Sequence, residues 1–106
     1  MDYGYLVSRF TTNRVAIKAF IQAMNAKNTE LSHQDEVNLD DWVDIVIREL
    51  DSFKRFQETF EREKNTKRVT FCKEAIRKLK DFHSQLKQID EKNGNGERKI
   101  NAQYPT

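Results

Sequence analysis

Hydrophobic positions recur at steps of three and four along two long stretches of this chain. The first carries Leu39, Val43, Val46, Leu50, Phe53, Phe56 and Phe60, and the second Val69, Cys72, Ile76, Leu79, Phe82, Leu86 and Ile89. Each set falls on one stripe of a 3.6-residue helix, so the pattern predicts two amphipathic helices, over about 39–64 and 67–92. Trp42, Ile45 and Ile47 widen the first stripe beyond what a two-stranded seam needs, which implies burial against more than one neighbour. One unbroken helix through Glu61-Arg62-Glu63-Lys64 would leave both stripes exposed. Folding back at Asn65-Thr66, a polar pair of weak helix formers, buries both at once.

Capping chemistry places the predicted boundaries. Asn38 is positioned to cap the first long helix, with Asp40 and Asp41 in its first turn where carboxylates favour the positive end of the dipole, and Asn65 or Thr66 can cap the second. Before the hairpin, Leu6, Val7 and Phe10 run almost in phase with Ile17, Phe20, Ile21 and Met24, but Thr11, Thr12 and Asn13 interrupt them with side chains that prefer caps. Thr12 is therefore expected as an N-cap, giving a first helix over about 13–27 and a short N-terminal arm that docks through Tyr3, Tyr5, Leu6 and Phe10. The polar stretch 28–37 reads as a loop, in which Ser32 can begin a turn of helix by accepting from the Asp35 amide. After Ile89 the stripe is lost and Gly and Asn enter, so 94–106 is expected to be a flexible tail whose Ile100 and Tyr104 have no stripe to join.

The expected architecture is all-α: a three-helix bundle built on a long antiparallel helical hairpin, in one domain over 1–93. Of 106 residues, 37% are hydrophobic and 34% charged, so the core is thin and a homodimer is an expected route to further burial. The lone Cys72 excludes an internal disulfide framework, fits a reducing compartment, and lies in an apolar stripe as a small buried hydrophobe. No run of apolar residues is long enough to span a membrane and no basic-then-apolar leader opens the chain, which makes the cytoplasm the expected location and no membrane the expected partner.

Charge is segregated. Between Leu31 and Asp51 seven acidic residues face one basic, Arg48, whereas Ser52 to Asn93 holds twelve basic against seven acidic. An antiparallel hairpin turns this into a rod with one acidic end and a basic turn that gathers Arg62, Lys64, Lys67 and Arg68. Charges on the solvated faces are expected to pair at four-residue spacing, as Glu58 with Arg62 and Glu74 with Lys78. Asp40, Asp41 and Asp44 at the acidic end are the expected contacts for another protein. The rival surface is the row Lys73, Arg77, Lys80 and Lys87, joined by Arg68, whose spacing could track a nucleic-acid backbone. Base-specific readout has no support, since neither a recognition helix after a glycine turn, nor zinc ligands, nor interleaved aromatics accompany the row.

Candidate chemistry is sparse. His33 sits near Asp35 and Glu36 but the other histidine, His83, lies far along the last helix, so neither a metal site nor a cofactor is expected. Arg77 and His83, with five residues between them, resemble the arginine-to-histidine spacing in the active-site motif of HEPN ribonucleases. That resemblance covers seven residues. It implies a helical, usually dimeric nuclease in which two copies bring these side chains together for acid-base work on a phosphodiester. The residues otherwise carry no nucleotide-binding glycine loop, serine elbow or paired-carboxylate signature. A non-enzymatic interaction module, a regulatory or accessory subunit, is the function the sequence favours.

Overall fold

The computed structural model describes residues 2–27 and 29–92. Three helices, α1 (Tyr3–Asn25), α2 (His33–Arg62) and α3 (Thr66–Lys92), form an all-α bundle, with no strand among the described residues. The helices α2 and α3 pack along their length as the expected hairpin, and α1 lies against both. The expected tail over 94–106, with Ile100 and Tyr104, lies outside the described residues. Among the described residues no helix is long and apolar enough to cross a membrane.

Two helix starts differ from the sequence expectation. The N-terminal arm is not separate: α1 is continuous from Tyr3, and its N-cap is Asp2, whose Oδ1 accepts from the Tyr5 amide at 2.8 Å, rather than Thr12. The polar trio does not break the helix: two of its side chains find partners and the third, Thr12, lies exposed on the surface. Thr11 donates its hydroxyl to the Val7 carbonyl at 2.8 Å, the in-helix alternative to capping, and Asn13 reaches across to α2. Leu6, Phe10, Ile17, Ile21 and Met24 then form one buried stripe.

The second helix begins six residues earlier than Asn38 predicts. Ser32 is the N-cap, within a capping box in which its Oγ accepts from the Asp35 amide at 3.1 Å while Asp35 Oδ2 accepts from the Ser32 amide at 3.1 Å. Two orphan donors are satisfied there, where Asn38 could have satisfied one. Asn38 is instead interior and accepts from Gln34 Nε2 at 2.9 Å. Lys27, just past the end of α1, adds an ion pair to Asp35, so the connection is tied to the first turn of α2.

The hairpin turns where the sequence places it. Lys64 takes the left-handed conformation, φ 57°, and the amides of Asn65 and Lys64 close back on the carbonyls of Phe60 and Glu61 at 2.9 and 3.1 Å. These paired bonds satisfy carbonyls left over at the end of α2. Asn65 then caps α3, its Oδ1 accepting from the Arg68 amide at 3.3 Å.

The two predicted stripes of α2 and α3 are the core. Leu39, Leu50, Phe53, Cys72 and Leu86 are completely buried, joined by Leu6 of α1, while Phe56 and Val69 pack at its margin. Near the turn an aromatic cluster ties α1 to both partners: Tyr3 meets Phe60 of α2 edge-on at 4.8 Å between centroids and Phe71 of α3 at 6.4 Å, and Phe10 meets Phe53 of α2 at 5.3 Å. Edge-to-face geometry suits the ring quadrupoles and adds to the area buried. It also explains why the arm is ordered, since the rings of Tyr3 and Phe10 reach their partners only from a continuous α1.

Candidate functional site

The acidic end is a ridge on α2. Asp40, Asp41 and Asp44 are all exposed, with Asp40 and Asp44 one turn apart on the same line. Asp44 is bridged by Arg48 Nη2 at 2.9 Å, and half-exposed Val37 adds an apolar contact one turn before Asp41. Their helix is held rigidly, since Leu39, Val43 and Val46 on the opposite face are buried. The ridge is smaller than the sequence count of acidic residues suggests. Glu49 is buried, and Asp35 is committed to Lys27 and to the cap, two contacts that hold its carboxyl below the usual range.

The basic row follows the α3 surface but is broken. Lys73, Arg77 and Lys80 are exposed and Lys87 is half-buried. Arg77 is chelated by Glu74, with Nε and Nη2 donating to its two carboxylate oxygens at 3.2 and 2.5 Å. Glu74 thus accepts both hydrogen bonds from Arg77 at three residues, while Lys78 at four acts on it through charge alone. Arg68 stands apart from the row, its guanidinium over the rings of Tyr3 and Phe60 at 5.1 and 5.2 Å from their centroids. One cation that sequence reasoning missed joins the row from α2: Lys54, held below the usual lysine range by burial and then by the neighbouring Lys80 ammonium. Helical periodicity within one segment could not have found it, because the two lysines meet only across the hairpin.

Arg77 and His83 do not share a surface. Six residues turn roughly 240° around a helix, and the two side chains end respectively in solvent and in the seam between Leu79 and Leu86. Burial, and then the charge of Lys87, push the His83 imidazole below its ordinary value. His33 is exposed at the start of α2, and no group of His, Cys, Asp and Glu with the makings of a metal site occurs among the described residues.

No protein-family model matches this chain, and neither a curated protein nor a solved structure matches it.

The surface also has an open groove of about 710 Å³ between α1 and α3. Arg14 and Lys18 stand on its α1 side, Arg77 and Lys78 on its α3 side, and Val15, Ala19 and Phe82 line it between them. Sequence reasoning missed this feature because Val15 lies off the buried stripe of α1 and is 68% exposed.

Proposed function

We propose that this protein is a non-enzymatic helical interaction module, a regulatory or accessory subunit acting in the cytoplasm, that binds another protein through the acidic ridge of α2. The observation that supports this reading is the exposure of Asp40, Asp41 and Asp44 on a helix whose other face is locked into the core. A pre-ordered row of carboxylates presents charge to a basic partner without an ordering cost at binding, and complementary charge raises the association rate and selects the partner.

The nucleic-acid reading has a weaker basis. Phosphate tracking draws on free cations, and here Arg77 is already neutralised by Glu74 while Arg68 is spent on two aromatic rings. The exposure of Lys73 and Lys80 along one side of α3 is the feature that keeps it as the second reading.

The test is quantitative capture by the immobilised full chain, followed by the same measurement on two variants. A partner held by the native chain and by Lys73→Ala/Lys80→Ala, but lost from Asp40→Lys/Asp41→Lys/Asp44→Lys, is the expected result. Retention by the charge-reversed ridge sinks the proposal. So does salt-sensitive binding of labelled duplex DNA that disappears with the lysine variant.

A further inference from the structure

The α1/α3 groove is lined by neither α2 nor its acidic ridge, and it has the opposite charge. We infer that it is a second docking site, which takes an acidic amphipathic helix of a partner protein as the fourth helix of the bundle.

Shape comes first. On α1 the lining residues Val15, Ala19 and Gln22 follow one another at steps of four and three, and on α3 Lys78, Asp81 and Gln85 do the same. Each wall therefore runs about two turns, or about 11 Å, which matches a helix that inserts side chains at positions i, i+4 and i+7. The floor is apolar where a buried helix would touch it. Val15 is 68% exposed, an unusual cost for a β-branched side chain in a helix with nothing packed on it, and Ala19 leaves room for a second helix to come close.

Charge selects the occupant. Arg77 is already chelated by Glu74, which leaves Arg14 and Lys18 on one wall and Lys78 on the other against the single carboxylate of Asp81, itself accepting from Gln85 Nε2 at 2.8 Å. A helix with carboxylates on both flanks of its apolar stripe meets a cation on either side. A second copy of this chain fits poorly. Its own α1 would set like-charged walls together, and its acidic α2 ridge carries only Val37 as an exposed large apolar residue to set against Val15 and Ala19. A nucleic-acid strand would find cations but no exposed ring to stack on, and Val15 and Ala19 offer a phosphate nothing.

The experiment titrates the full chain into a fluorescein-labelled peptide of roughly 20 residues, long enough to hold a helix, with Leu at steps of three and four and Glu on both flanks. A scrambled peptide of the same composition, a Lys-flanked counterpart and a labelled single-stranded RNA are run beside it. The Glu-flanked helix is expected to bind, with amide shifts centred on Val15, Ala19 and Gln22, and the other three are not. Val15→Gln and Lys18→Glu/Lys78→Glu, both at surface positions and checked for helicity by circular dichroism, are each expected to weaken binding about tenfold or more. The inference is overturned by absence of binding to the Glu-flanked helix, by equal binding of the scrambled peptide, or by affinity that either variant leaves unchanged. RNA binding lost in Lys18→Glu/Lys78→Glu overturns it in favour of a phosphate surface, and a dimer in light scattering that Val15→Gln dissociates overturns it in favour of self-association. Because no residue of the acidic ridge is altered, these outcomes are independent of the function proposed for α2.

Discussion

Asn13 of α1 donates its side-chain amide to Glu49 Oε2 of α2 across 2.7 Å, a polar contact set into an otherwise apolar interface. Glu49 is only 5% exposed, and burial raises its carboxyl above the ordinary value, opposed in part by the Asn13 bond and the charge of Arg9. The bond gives the α1/α2 packing a register that apolar side chains alone do not specify, because a shift along either helix would leave a buried carboxylate without its donor.

A raised carboxyl pKa means the folded state binds the proton more tightly than the unfolded chain does. The stabilising contribution is full below the ordinary glutamate value of 4.5 and is lost as pH rises through the folded pKa. Glu49→Gln keeps the shape and an oxygen for Asn13, so it is expected to raise the urea midpoint at pH 7 and to flatten the part of the pH profile above 4.5. An unchanged midpoint and profile would show that Glu49 is solvated in solution.

The capping box predicts where α2 begins in energetic terms. Ser32→Ala is expected to lower stability by about 1 kcal/mol, whereas Asn38→Ala, one turn into the helix, should stay within about 0.5 kcal/mol of the native chain. Thermal denaturation of the two variants side by side decides it, and the reverse ranking would restore the start at Asn38. Asp35 carries the opposite pH sign to Glu49: its lowered pKa contributes stability above the ordinary value of 3.8, lost as pH falls through the folded pKa.

At the turn, Lys64 holds φ 57° with a side chain that disfavours that region. Lys64→Gly is expected to stabilise the hairpin by about 1 kcal/mol, since the relief of left-handed strain exceeds the added freedom of the unfolded chain. Lys64→Val should do the reverse, because a β-branched residue is poorer still there. Chemical denaturation of both variants gives the sign directly.

Cys72 is completely buried, and burial pushes its thiol above the ordinary range. In the native protein it is expected to react with iodoacetamide far more slowly than a free thiol, and in urea to become reactive along the same curve as loss of helicity. Labelling of the native chain at the rate of an exposed cysteine would mean that α3 opens away from the hairpin.

Periodicity by itself determined the class and the hairpin. Steps of three and four at Leu39 to Phe60 and at Val69 to Ile89 can be buried together only by antiparallel helices, and Asn65 marked the fold-back because few other polar pairs interrupt the stripes. Charge segregation was equally legible, since it is a property of order along the chain. The helix starts were not. Thr12 and Asn38 both look like caps. What overrides Thr12 is long-range, since the rings of Tyr3 and Phe10 draw the arm into α1 and Asn13 turns to Glu49, whereas Asn38 loses to the local box at Ser32, which satisfies two donors and holds Asp35 against Lys27.

Only tertiary structure decided which charges reach solvent and which meet. The sequence counts Glu49 with the acidic end and aligns Arg77 with Lys73 and Lys80, but burial removes the first and Glu74 neutralises the second. Lys54 against Lys80, and Arg14 and Lys18 across from Arg77 and Lys78, are pairings between helices far apart in the chain. A helical stripe fixes which way a side chain points along its own axis. What it points at depends on the rotation and spacing of the neighbouring helix, and those are set by how the whole core packs.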